Sequence, residues 1–196
     1  MEPPSDEPSR AGLTVWLTGL PAAGKTTIAD GLAVALRARS HLVQVLDGDR
    51  LRSTVNADLD FSLGARKEAA RRAGELAVTL AQDGNVVVVA MVSPTAEDRA
   101  AVRQHHRNHG LCFVEVWVST PLDVCEERDP KGLYKSARRG EIDNMTGIDS
   151  AYEPPSAPEV VIPTQDMSRN DAVLLLLGAI EPRLQPREVF CTRPSS

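Results

Sequence analysis

The residues Gly19, Leu20, Pro21, Ala22, Ala23, Gly24, Lys25 and Thr26 space two glycines, a lysine and a hydroxyl as G-x-x-x-x-G-K-[ST]. An apolar run precedes them and a helix-forming run follows, the setting in which this spacing wraps backbone N–H groups around phosphate oxygens. The glycines admit backbone angles and close approach that a side chain would block. The helix start adds its positive end. Lys25 is placed to bridge the β and γ phosphates of a nucleotide and Thr26 to ligate magnesium through its hydroxyl. The pattern alone does not choose between a kinase, a GTPase and an ATPase.

Further chemistry clusters downstream. Asp47-Gly48-Asp49-Arg50-Leu51-Arg52 sets two carboxylates among guanidiniums after an apolar run. Either Asp49 or Asp47 can take a hydroxyl proton and help hold hydrated magnesium, and Arg52 can grip an acceptor phosphate. Phe61, one of only three phenylalanines, sits in the polar stretch from Asn56 to Ser62. It either stacks on a base or packs beneath its own loop. Of Arg66, Arg71 and Arg72, only Arg66, on a helix's first turn, is assigned to a ligand, because charges along a helix are mostly solvated. Ser93, before Pro94, reads as a helix cap. Arg128-Asp129-Pro130-Lys131-Gly132-Leu133-Tyr134 joins fixed turns to mobile cations, as a segment that closes over nucleotides and excludes water does.

These residues need a scaffold that brings them to one edge. Short β-rich runs at 13–17, 42–46, 86–91, 113–118 and 160–162 alternate with helical patterns at 26–39, 64–82, 95–108, 121–127 and 169–183. That alternation predicts an α/β fold, a five-stranded parallel sheet with helices on both faces. Ligands then bind beyond the carboxyl ends of the strands, where the unusual residues lie. Residues 128–158 break the alternation and are expected to form a lid. Residues 12–184 are read as a single domain, with a flexible tail at 1–11 and an irregular one at 185–196.

With 22 basic and 27 acidic residues, a net charge of −5, the chain gives no electrostatic reason to bind nucleic acid. Cys112, Cys125 and Cys191 form neither a disulfide framework nor a zinc spacing, so a reducing cytoplasm is expected. The apolar runs are far shorter than the roughly 20 residues that span a bilayer, so no membrane partner is expected.

Taken in order, the motifs resemble those of the adenylyl-sulfate kinase family, which phosphorylates the 3'-hydroxyl of adenosine 5'-phosphosulfate (APS) with ATP. The matches are residues 19–26, Asp47-Gly48-Asp49 with Arg52, Asn56-x-Asp58-Leu59-x-Phe61-Ser62, Ser93-Pro94, Pro121-Leu122-x-Val124-Cys125-Glu126, residues 128–135, Thr146-Gly147-Ile148-Asp149 and Tyr152-Glu153-x-Pro155. The resemblance implies that Asp49 assists the acceptor hydroxyl, that Arg52, Asn56, Phe61 and Arg66 hold the nucleotide sulfate, and that Lys131 and Leu133 belong to the closing lid. It also marks Ser93 as a phosphoserine intermediate, although direct in-line transfer is what a phosphate loop is built for.

The resulting assignment makes Lys25, Asp49, Ser93 and Lys131 catalytic and gives ATP to residues 19–26 with Arg128. Asp47, Arg52, Asn56, Phe61, Arg66, Lys131 and Leu133 take the substrate, and Thr26 with Asp49 takes Mg2+. A homodimer and association with a sulfurylase are compatible with the sequence. The chain departs from the family pattern at Ala69, where an asparagine is usual, and at Thr95 and Met145, where aromatics are usual. The departures at Ala69 and Met145 cost acceptor affinity on the order of 1 to 3 kcal/mol. They motivate a rival reading as a related kinase for another nucleotide-linked acceptor. A nucleotide-sensing subunit without turnover is a third.

Overall fold

Every residue of Leu13–Thr18 is buried, and this run forms β1. The computed structural model describes residues 12–184; the expected tails and Cys191 lie outside the described residues. Around β1 run β2 (Val43–Asp47), β3 (Val86–Ala90), β4 (Cys112–Val118) and β5 (Val160–Ile162). All pair in parallel, in the order β2-β3-β1-β4-β5. The five expected strands are therefore present, with ends shifted by a residue or two.

Alternation along β1 divides the core. Leu13, Val15 and Leu17 face the layer of α1 (Lys25–Arg37) and α7 (Arg169–Leu184), through Ile28, Leu32, Leu36, Leu176 and Ile180. Trp16 faces the opposite layer, of α3 (Leu63–Gln82) and α4 (Ala96–Asn108). Helix α3 buries Ala70, Ala73, Ala77 and Ala81, small residues at helical spacing that let its backbone lie close to the sheet. At Gly74 even a methyl group would press within 3.1 Å of Val102 on α4.

Two short helices were not anticipated: α2 (Gly48–Arg52) and α6 (Leu133–Arg138), with α5 (Leu122–Arg128) between them in the chain. At five and six residues, α2 and α6 are too short to show a period. Carboxylates define both instead. Asp47 accepts from the Asp49 and Arg50 amides at the start of α2. Buried Asp129 accepts from the Tyr134 and Lys135 amides at the start of α6. The segment expected as an irregular lid thus begins as a capped helical turn.

Candidate active site

The turn after β1 places Ala22 at φ 60° and Gly24 at φ 103°. At Gly19 a Cβ would come within 2.5 Å of the Val118 carbonyl oxygen, so a side chain there would push β4 away. Helix α1 starts at Gly24 with no side-chain cap, leaving its first N–H groups directed at the cleft. Lys25 is buried, its Nζ donating to the Gly19 and Leu20 carbonyls at 2.9 and 2.7 Å. Burial lowers its pKa to about 8, against the upward pull of Cys125 and of the Asp49 and Asp47 carboxylates.

The loop is braced from behind. The Ala23 carbonyl accepts from Thr120 at 2.9 Å and from Thr164 at 3.1 Å. Arg128, at the end of α5, donates to the hydroxyl and the carbonyl of Thr164, at 2.8 and 3.0 Å. Tyr134 of α6 donates to the Pro21 carbonyl at 3.0 Å. Sequence reasoning placed Arg128 at the nucleotide, missed Thr120 and Thr164, and did not foresee the contact of Tyr134 with the loop. Each acts across more than 90 residues of chain, which no local pattern reveals.

Beyond β2 the two carboxylates separate. Asp47 is buried and accepts the Thr26 hydroxyl at 2.7 Å. Asp49 is exposed and paired with Lys131 of the lid. The carboxylate touching the expected metal ligand Thr26 is therefore that of Asp47, assigned from sequence to the substrate. This follows from capping, because one Asp47 oxygen anchors α2 and turns the other toward α1.

Asn56 is buried at 1% exposure, and neither its amide nitrogen nor its amide oxygen has a partner among the described residues. Leaving such a group unsatisfied costs about 1–3 kcal/mol, so a ligand atom is its natural complement. Phe61 is 56% exposed, with the Arg52 guanidinium 4.1 Å from its ring centroid. That removes the reading in which it packs beneath its loop. Arg66 donates to the Phe61 carbonyl at 3.0 Å and to the Asn144 carbonyl at 2.8 Å, tying α3 to the lid's far end. Arg72, expected to be solvated, instead forks onto Asp58 at 2.6 and 2.8 Å.

Ser93 does not cap α4. Thr95 does, accepting from the Asp98 amide at 3.3 Å. Ser93 sits at φ 43° with its hydroxyl buried, accepting from Trp16 Nε1 at 3.0 Å. Buried Arg99 donates to the Ser93 and Glu153 carbonyls, both at 2.7 Å, and fastens this floor to the chain returning from the lid.

The two sets meet in one cleft of about 830 Å³, lined by Gly24, Lys25 and Thr26 of the phosphate loop and by Asn56, Phe61 and Met145 of the later segments. Ala69, Lys131 and Leu133 also line it. A parallel sheet with a phosphate loop after its central strand, opening into one cleft large enough for two small ligands, defines a phosphate-loop small-molecule kinase.

The profile of the adenylylsulphate kinase family matches residues 11–163. The chain is 48% identical over 169 residues to the adenylyl-sulfate kinase of Bacillus pumilus, covering 86% of this chain and 85% of that protein. The APS kinase CysC of Mycobacterium tuberculosis, solved in complex with AMPPNP and APS, superposes with a TM-score of 0.86 at 44% identity, over 89% of this chain and 99% of that one. A bifunctional enzyme CysN/CysC of M. tuberculosis is 44% identical over 176 residues, 90% of this chain and 28% of that protein. This chain belongs to the adenylylsulphate kinase family.

Proposed function

We propose that the protein transfers the γ-phosphate of ATP to the 3'-hydroxyl of APS, giving ADP and 3'-phosphoadenosine 5'-phosphosulfate. The observation that carries this reading is one cleft joining the phosphate loop, at the uncapped start of α1, to the Asn56 side-chain amide, which has no partner among the described residues. The solved relative in complex with AMPPNP and APS supports the same pair of ligands.

Residues 19–26 and the start of α1 bind the donor phosphates, and Lys25 leaves its two carbonyls to meet them. Arg128, fixed by Thr164, borders the nucleoside end. Asn56, Arg52 and Arg66 hold the acceptor's polar groups, with Phe61 and Met145 for its base. Asp49 accepts the hydroxyl proton as that oxygen bonds to the γ-phosphorus and the bond to the ADP oxygen breaks. Lys131 brings positive charge from the lid to the transferring group. The Thr26 hydroxyl and the Asp47 carboxylate are hard oxygen donors of the kind magnesium takes. Held there, the ion would neutralise charge on the phosphates.

Ser93 is assigned to the floor, as a partner of Trp16, and direct transfer needs no phosphoserine. No helix among the described residues is long and apolar enough to cross a membrane. Association with a sulfurylase belongs to the same proposal and has support in the bifunctional relative.

Steady-state ADP release with APS, set against adenosine 5'-phosphate and other nucleotide conjugates, tests the acceptor. The highest kcat/KM is expected with APS. A higher value with another conjugate would replace the acceptor and leave the kinase class standing.

A further inference from the structure

The Asn56 side chain, though buried, is not held by any side-chain partner among the described residues. Its placement comes from its backbone, whose N–H donates to Leu51 at 2.8 Å and whose carbonyl accepts from Leu59 at 3.1 Å. The segment around it, residues 53–60, is exposed between α2 and α3 except at Asn56 and the half-buried Leu59. A ligand-reading amide on such a segment needs an anchor outside the segment.

Arg72 supplies one. Its Nη1 donates to the Val55 carbonyl at 2.8 Å and to Asp58 Oδ1 at 2.6 Å, while its Nη2 donates to Asp58 Oδ2 at 2.8 Å. These contacts fall on both sides of Asn56. The guanidinium is itself aimed by Glu68, which accepts its Nε at 2.8 Å and is in turn gripped by Arg71. The side chains of Arg72 and Asp58 are 26% and 60% exposed, a setting in which an ion pair adds little to global stability. Its geometry acts on the segment instead, because a planar fork fixes two oxygens and a neighbouring carbonyl in one orientation.

We infer that Arg72 is a positioning residue for the acceptor site, clamping residues 55–58 to α3 so that the Asn56 amide faces the cleft. Arg72 touches no reacting atom. The inference rests on the proposed acceptor reading of Asn56.

The test compares the full chain with Arg72→Gln, Arg72→Lys and Asp58→Asn, measuring KM for APS, KM for ATP, kcat, melting temperature and amide exchange at residues 53–60. Arg72→Gln should raise the KM for APS about five- to thirtyfold and leave kcat and the KM for ATP within about twofold. Amide exchange should quicken at Asn56 and Leu59 and hold elsewhere. Asp58→Asn should follow in the same direction, and Arg72→Lys should recover only part, since an ammonium cannot fork. An unchanged KM for APS, or both KM values rising together as the melting temperature falls, would overturn the inference. Should the unaltered protein fail to phosphorylate APS, the proposed function falls while exchange still decides the clamp. Quickened exchange confined to the segment supports it, and unchanged exchange rejects it.

Discussion

The two ends of the cleft are built differently. At the donor end, backbone and buried side chains satisfy one another: the Ala23 carbonyl has two threonine donors, Pro21 has Tyr134, and Lys25 has two carbonyls. At the acceptor end the Asn56 side-chain amide has no partner among the described residues, Phe61 is more than half exposed, and Asp49 meets Lys131 at the surface. The first is an extension of the sheet and is complete in itself. The second is assembled from a loop, a helix start and a lid, and only a ligand completes it. Preorganisation at the phosphates and adaptability at the acceptor suit a kinase that must hold ATP without hydrolysing it until the second substrate arrives.

Mutations that act on one end only would sharpen this contrast. Asp49→Asn should lower kcat about 10²- to 10⁴-fold with ATP affinity unchanged, read from single-turnover kinetics and ATP titration. Asn56→Ala should raise the KM for APS about ten- to a hundredfold and leave the KM for ATP alone. An equal rise in both constants would mean that the ends are not separate.

The donor end carries its own signature. Lys25, with its pKa lowered to about 8, loses its proton in the free protein as pH rises through that value, so the positive charge needed by phosphate is present below it and lost above it. The kcat/KM for ATP should therefore fall above pH 8, approaching about tenfold per pH unit. Nucleotide binding at pH 9 should take up protons, detectable by calorimetry in buffers of differing ionisation heat. The smallest effect is expected at Met145→Phe, where an aromatic face in the cleft wall should lower the KM for APS about two- to tenfold.

The same contrast governs what could be read from the sequence. The phosphate loop is local, eight consecutive residues, and its setting between a strand and a helix was legible at once. The strands were legible because burial on both faces leaves unbroken apolar runs such as Val86–Ala90. Asp47 and Asp49 were found together, but their different surroundings were not, since these depend on which carboxylate caps α2. The cap of α4 expected at Ser93 falls to Thr95 for a similar reason: both are hydroxyls near a helix start, but Ser93 sits in a left-handed turn and Thr95 is the one that reaches the Asp98 amide. The Thr164 brace, the Tyr134 contact and the Arg72 clamp join distant segments, and no periodicity encodes them.

The most direct test of the account is the product itself. Purified protein incubated with ATP, magnesium and APS should yield, by phosphorus NMR, one ADP for each 3'-phosphorylated APS, and Lys25→Ala should yield neither. ADP formed without phosphorylated APS, or a phosphate on any other position of the acceptor, would contradict it.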